Sequence, residues 1–179
     1  MKKPRLFPIV ITAVLSIGLL FGGWTLYKQV AVASPLTDAL KAVPGVVEAK
    51  KPTITQDNVQ IAVELSENAN IRDIYEAATK TGKDITPSKK IDLQVRTSED
   101  EVLNTIWQQS MFEVAEAMET KTYSKIPEAL KLATESVKGV SFETEMDDSN
   151  VYVTLRNDKS AKYIVMPRTP NKLGAWSNA

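Results

Sequence analysis

Carboxylates are the side chains that could do chemistry in this chain, because its 179 residues include no cysteine and no histidine. That composition excludes a thiol nucleophile, a Ser-His-Asp triad and a histidine-containing zinc site. It also excludes disulfides, so a folded domain must be held together by its core. Carboxylates could still bind a metal ion or act in pairs as general acid and base.

The closest approach to a metal site is the acidic stretch of Glu143, Glu145, Asp147 and Asp148. It lacks the D-x-[DN]-x-[DN]-G spacing of a calcium loop, and no such glycine is present. In a strand, Glu143 and Glu145 would project to one solvent face, opposite Phe142. A charge-rich hairpin of this kind is typical of an exposed surface. We therefore predict no metal site and no cofactor.

No other motif singles out a reaction. Thr81-Gly82-Lys83 lacks the leading glycine of a phosphate-binding loop. Glu113, Glu116 and Glu119 recur at helical spacing, which indicates a charged outer face. Nothing distinguishes one carboxylate pair among the 22 acidic residues. We predict no catalytic residue and no enzyme activity, and a carboxylate-based hydrolase is the lowest-ranked alternative.

The longest apolar segment, Leu6 to Tyr27, contains 22 residues without a charge. About 20 such residues, at a helical rise of about 1.5 Å each, span a hydrocarbon core. Lys2, Lys3 and Arg5 precede it and only Lys28 follows at once, which predicts a cytoplasmic N-terminus and an extracytoplasmic remainder. The segment is predicted to be a single-pass membrane anchor, with its main contacts to lipid at Leu6, Ile9, Leu15, Leu19, Leu20, Trp24 and Tyr27.

Two alternatives concern this segment. Gly18 and Gly22 have the GxxxG spacing that lets two membrane helices approach closely, although ordinary membrane-helix composition also explains them. Ala31-Val32-Ala33 before Ser34 fits the cleavage site of a signal peptide. The apolar run exceeds the roughly 7–15 residues of a signal-peptide core, which favours an uncleaved anchor.

The remainder of the chain, residues 34–179, carries 18 basic and 22 acidic side chains, a formal charge of −4. This balance is unlike that of a nucleic-acid-binding protein, so no nucleic-acid partner is expected. An exported domain without cysteine suits a Gram-positive bacterium, and we expect the protein to act in the bacterial cell envelope. The predicted partners are the membrane and other envelope proteins or further copies of the chain.

Hydrophobic periodicity predicts an α+β fold in which small mixed sheets pack on helices. The first module, residues 34–97, has the order αββαβ. Ser34 and Asn70 are its expected helix caps, after a link at residues 29–34, and Gly82 is the expected helix stop. The predicted elements are residues 35–43, 46–54 with an interruption at 50–52, 59–65, 71–81 and 91–95.

The second module, residues 98–168, has the predicted order ααβββ and could form one domain with the first. Ser98 and Glu101 read as a capping box for a helix over residues 99–119. The apolar stripe of that helix indicates core packing. Met111 and Phe112 widen it, and the alternative is a groove for an apolar ligand or a partner helix. Residues 169–179 are predicted to be a loose tail.

The first half carries a resemblance. Leu36 to Val43 leads into Pro44-Gly45-Val46, followed by Val59-x-Ile61-x-Val63-x-Leu65, a helix and Ile91-x-Leu93-x-Val95. Over about residues 36–96 this resembles the ring-building modules of type III secretion ring lipoproteins and of anchored channel proteins in sporulating bacteria. The chain lacks the lipid-anchor cysteine of the secretion lipoproteins. The resemblance implies an extracytoplasmic module that assembles with itself or its neighbours.

These observations lead to one functional expectation and one alternative. The chain is expected to be a single-pass membrane-anchored extracytoplasmic protein without enzyme activity. It would act by protein-protein contact or self-assembly in the bacterial cell envelope. The alternative is an anchored or secreted binding module for an apolar ligand, a peptide or a wall fragment.

Overall fold

The computed structural model describes residues 6–96 and 100–168, and it confirms the α+β class. The predicted tail at 169–179 and Ser98 of the predicted capping box lie outside the described residues. Helices α1 to α5 span Leu6–Lys28, Ser34–Lys41, Ile71–Ile85, Glu101–Glu119 and Lys125–Thr134. Strands β1 to β7 span Val46–Ala49, Thr53–Ile54, Asn58–Leu65, Lys90–Arg96, Ser141–Met146, Asn150–Arg156 and Ala161–Pro167.

The N-terminal part is helical without a break, which corrects the predicted link at residues 29–34. Helix α1 passes through a π-helical turn, Gln29–Ala33, directly into α2. Ser34 is not the cap, because Ala33 occupies the N-cap position with helical backbone angles and makes no side-chain cap bond. Val32 and Ala33 are buried, at 8% and 3% exposure, so continuing the helix keeps two apolar side chains out of water. Within the described part of the chain, no helix meets the length and apolarity that crossing a membrane requires.

The first module is a sheet with β3 at its centre. Strands β1 and β2 follow one another along one edge of β3, both antiparallel to it, with the predicted interruption between them. Strand β4 pairs with the other edge of β3 in parallel, and α3 makes the crossover that parallel pairing needs. The core of this module contains Leu36, Leu40, Ala49, Val59, Ile61, Val63, Ala69, Ile74 and Ala78.

Helix α3 continues beyond Gly82 to Ile85, so the prediction that Gly82 ends it is wrong. Gly82 is buried, and a Cβ atom there would overlap the side chain of Ile91 on β4. The glycine therefore lets the helix approach the sheet closely. The start of α3 follows the sequence pattern, since the Asn70 side chain accepts a hydrogen bond from the Asp73 backbone N–H at 3.1 Å.

The second module is an antiparallel meander, β5-β6-β7, with α4 and α5 packed on one face. Its helix α4 is capped by Asp100, whose side chain accepts a hydrogen bond from the Leu103 N–H at 3.0 Å. This corrects the predicted cap at Ser98 by two residues. Asp100 also accepts bonds from Asn157 and Ser160 in the β6–β7 turn, at 2.8 and 2.9 Å, so tertiary contacts fix where the helix begins.

The apolar stripe of α4 faces the core as predicted, with Leu103, Ile106, Val114 and Ala117 buried. Phe112 is excluded from that core and is 77% exposed. The opposite face of the meander is not left to solvent, because every residue from Asn150 to Leu155 is buried. That second face packs against the first module.

Candidate functional site: the junction of the two modules

Arg156, at the end of β6, is the main polar link between the modules. Its Nε donates to the Glu67 carbonyl at 2.8 Å and its Nη2 donates to the Ala69 carbonyl at 3.0 Å. Its Nη1 is bonded to Glu143 Oε2 on β5 at 2.8 Å. The guanidinium thus holds the loop before α3 against the edge of the meander. Its donors are fixed in one plane and reach three separate acceptors, which the ammonium group of a lysine could not do.

Aromatic side chains complete the junction. The Tyr163 hydroxyl on β7 donates to the Ser66 carbonyl at 2.6 Å. The rings of Tyr75 on α3 and Tyr152 on β6 meet edge to face, with their centroids 5.8 Å apart. These partners are 77 to 97 positions apart in the chain, so no local pattern in the sequence points to them.

The prediction that Glu143 and Glu145 lie on a solvated face is only half right. Glu143 is exposed but is paired with Arg156, and Glu145 is half-buried with an oxygen 3.9 Å from Arg72 Nη1 on α3. This face of the hairpin belongs to the junction. The two carboxylates therefore balance arginines rather than forming a charged outer surface.

The carboxylate of Asp147, in the β5–β6 turn, is held in place by hydrogen bonds from three donors of the protein. It accepts from the Tyr152 hydroxyl at 2.6 Å and from the backbone N–H groups of Ser149 and Asn150 at 2.6 and 2.7 Å. Burial opposes its charge, but these three donors lower the pKa of Asp147 overall. Burial and the bond to Asp147 raise the pKa of Tyr152, so at neutral pH the carboxylate is charged and the phenol is protonated.

An open groove of about 1360 Å³ lies beside this turn. Its walls come from α3, from the first half of β4, from the β5–β6 turn and from the end of β7. The residues that make its lining partly apolar and partly basic are Tyr75, Lys80, Lys83, Lys90, Ile91, Leu93, Val165 and Pro167. A smaller cavity of about 640 Å³ lies at the other end of β4, between Arg96 and the start of β7 at Ala161.

The backbone of β4 has one edge without a partner strand among the described residues. In a parallel ladder both polar groups of a residue point to the same side, and successive residues alternate. The Lys90 N–H donates to the Asp57 carbonyl at 2.9 Å, so Lys90, Asp92 and Gln94 face β3. The N–H and C=O groups of the alternating residues therefore point to the open edge, and those residues are Ile91, Leu93 and Val95.

Strand β7 is also an edge strand and also borders the groove. The Arg168 N–H donates to the Ser149 carbonyl at 2.8 Å across the antiparallel pair with β6. Alternation from that point turns the backbone groups of Tyr163 and Val165 away from β6. The groove is thus bordered by two strands whose outer backbone groups lack a partner in the described part of the chain.

The charges along the groove are separated. Its negative groups are largely engaged: Glu76 pairs with Arg72 at 2.8 Å, and Asp92 accepts from Gln60 at 3.0 Å. Lys89 donates to the carbonyls of Thr55 and Gln56. In contrast, three exposed lysines have no ion-pair partner among the described residues, and they cluster where α3 ends and β4 begins: Lys80, Lys83 and Lys90.

The predicted anchor residues are placed by the structure in α1. Leu15, Leu19, Leu20 and Tyr27 are exposed, at 61% to 76%. The side chains of Leu6, Ile9 and Trp24 lie outside those described. Gly18 and Gly22 are one turn apart, and a Cβ atom at either position would meet nothing within 4 Å. The structure therefore leaves this face of the helix open.

A second apolar feature is separate from the groove. Met111 and Phe112 on α4 and Leu132 on α5 are exposed, at 41%, 77% and 71%. The sequence predicted that Met111 and Phe112 extend an apolar surface, and their side chains do lie outside the core. Neither the groove nor the smaller cavity at the other end of β4 has them in its lining.

No group of three or more metal-binding side chains comes together within residues 6–96 and 100–168. The junction residues Tyr75, Arg156 and Tyr163 were not identified from the sequence, because their partners are distant in the chain. The open edge of β4 had one local signal, a polar residue at every second position of the strand, three of the four being charged. Compared with protein-family models, curated proteins and solved structures, the chain matches none.

Proposed function

We propose that this chain is a membrane-anchored extracytoplasmic protein that acts by binding another envelope protein in the groove at its module junction, without catalysing a reaction. The observation that carries the proposal is the groove itself, bordered by the open edges of β4 and β7. Protein segments are recognised in this way by sheets that expose an unpaired edge.

The chemistry of the groove favours a protein segment over the alternatives. Its polar side chains include a charged Asp147 and a protonated Tyr75. Hydrogen bonds lower the pKa of Asp147 and burial raises the pKa of Tyr75, so both pKa values are moved away from neutrality. Such groups make poor proton-transfer catalysts at neutral pH. The exposed lysines would be costly partners for a purely apolar ligand.

Attachment to the membrane is supported by the sequence from Leu6 to Tyr27 and by the exposed apolar side chains of α1. Retention of the anchor is supported by the position of Ala31 to Ala33, which lie in continuous helix rather than in an exposed loop. Assembly with further copies, as the resemblance to ring-building modules implies, belongs to the same proposal.

The membrane part of the proposal is tested by fractionation. A C-terminal tag is expected to remain with the membranes and to be cut by protease added from outside the cell. A shortened chain beginning near Ser34 in the medium would contradict this arrangement.

The groove part of the proposal is tested by site-directed cross-linking in cell envelopes. The chain has no cysteine, so Lys83→Cys and Lys131→Cys each create a single attachment point for a short cross-linker. The two lysines are a matched pair, since each is exposed in the last turn of a helix, α3 or α5. We expect a discrete adduct of higher mass from position 83 and none from position 131. Equal adducts from both positions, or none from either, would refute binding in the groove.

A further inference from the structure

We infer that the partner binds as an extended segment that adds a strand to the open edge of β4 and carries acidic side chains at one end. This inference rests on the proposed function and specifies how the groove holds its partner. Backbone groups would provide the affinity and the side chains of the groove would provide the selectivity.

The backbone of β4 is suited to strand addition. Ile91, Leu93 and Val95 together direct three N–H and three C=O groups to the open edge, as the register with β3 requires. The strand has seven residues, or about 23 Å of extended chain, which is enough for several paired residues. Its inner side chains are only half-buried, so a neighbouring strand could still cover apolar surface there.

The surroundings of that edge favour a foreign segment over a second copy of the chain. The groove beside Ile91 and Leu93 is also lined by Val165 and Pro167 of the second module. An extended segment paired with β4 would therefore lie next to the second module. A second copy would have to bring its own β4 together with its own second module into the same space.

The charge requirement follows from the three unpaired lysines. Lys80, Lys83 and Lys90 cluster at the end of the groove where β4 begins. The only acidic lining residue whose side chain has no hydrogen bond or ion pair within the described residues is Asp73, at the start of α3. A segment with acidic residues at one end would match this separation, whereas a uniformly acidic or basic segment would not.

The test uses the full-length chain in detergent micelles and a phage-displayed library of random nine-residue peptides as the probe. We expect enrichment of peptides with apolar residues at alternate positions and Asp or Glu at one end. The most enriched peptide is then synthesised for binding measurements. Failure to enrich any peptide over an empty surface would overturn the inference.

Amide hydrogen exchange measured by NMR gives the decisive readout. Binding of the synthetic peptide should slow exchange of the Ile91, Leu93 and Val95 amides at least about tenfold. The Asp92 and Gln94 amides should be unchanged, because they already bond to β3. Slower exchange at other amides, without protection of those of Ile91, Leu93 and Val95, would overturn strand addition. Protection of the same amides that grows with protein concentration, without peptide, would show that a second copy occupies the edge and would overturn the assignment of a foreign partner.

Two sets of variants complete the test. In the peptide, N-methylation of the amides that face β4 should abolish binding, and N-methylation of the intervening amides should not. In the protein, Lys83→Glu should weaken binding about fivefold at low salt and less at high salt, whereas Lys131→Glu should have no effect. If cross-linking at position 83 succeeds and these variants have no effect, strand addition fails while the proposed function stands. If the cross-link is also absent, both fail.

Discussion

Strands β4 and β6 each have seven residues and an alternating apolar face, yet they differ in position within their sheets and in burial. Strand β6 is central to its sheet and buried on both faces, whereas β4 is an edge strand with no fully buried residue. The difference lies in the residues between the apolar ones. In β6 they include Tyr152 and Thr154, uncharged groups that can be buried with hydrogen bonds. In β4 they are Lys90, Asp92, Gln94 and Arg96, and burying three charges would be costly.

The two strands therefore have different roles: the burial of β6 stabilises the fold, and the open edge of β4 is available for binding. The junction covers β6 with the first module, so the second module depends on the first for the burial of one face of β6. The edge of β4 contributes little to that burial and keeps its backbone groups available. A surface of this kind must be protected from non-specific pairing, and alternating charges on an edge strand serve that purpose.

The largest expected effect comes from shortening a leucine in each strand. Leu155→Ala on β6 should lower the free energy of unfolding by about 2–5 kcal/mol, because Leu155 is fully buried and a cavity would remain. Leu93→Ala on β4 should cost roughly 1 kcal/mol, because its side chain is only partly buried. Denaturant unfolding of both variants measures the difference. Equal costs would mean that β4 is as deeply buried in solution as β6.

A smaller effect is expected at a pair of glycines that occupy corresponding places in the two modules. Gly45 precedes Val46 after α2, Gly139 precedes Val140 after α5, and both have positive φ, 91° and 78°. Alanine should cost about 1 kcal/mol at Gly139, where a Cβ atom would meet only Asp158 Oδ2 at 3.9 Å.

At Gly45 the same Cβ atom would lie 2.6 Å from the Cα atom of Ala69, a backbone position that cannot give way easily. Arg156 also holds that position through the Ala69 carbonyl. We therefore expect Gly45→Ala to cost at least about 1 kcal/mol more than Gly139→Ala in thermal or denaturant unfolding. A similar cost at both positions would show that the loop before α3 is not fixed by the junction.

The sequence was sufficient for the order of the elements because each carries its own periodicity. The alternation at Val59, Ile61 and Val63 and the stripe from Leu103 to Ala117 both proved to face cores. It failed where the deciding contact is distant. Gly82 reads as a helix stop until Ile91 is seen against it, and Ser98 reads as a cap until Asp100 is tied to a turn almost 60 residues later.

The candidate site shows the same limit more strongly. The chemistry expected from single residues concerned the carboxylates of the β5–β6 hairpin, and the structure uses Glu143 and Asp147 to hold the junction instead. The groove arises from the packing of two modules, and its open edge is a property of backbone register. Neither is encoded by a short motif. Only the alternation of polar, mostly charged residues in β4, which is typical of edge strands, pointed toward the open edge.

The smallest expected effect distinguishes the modules by their response to acid. The Asp100 carboxylate accepts bonds from the Leu103 N–H, Asn157 and Ser160, and these lower the pKa of Asp100 to about 2 in the folded protein. Because the folded pKa lies below the unfolded value of about 3.9, this stabilising contribution is fully present above pH 4 and is lost as the pH falls toward 2.

Asp100→Asn should therefore flatten the fall in unfolding free energy between pH 4 and pH 2, and should leave its slope above pH 5 unchanged. Denaturant unfolding at a series of pH values measures this. The matched control is Asp73→Asn at the start of α3, an exposed carboxylate whose side chain makes no hydrogen bond within the described residues. The flattening should be larger for Asp100→Asn than for this control. If both variants flatten it equally, the acid response does not arise from the cap that joins α4 to the β6–β7 turn.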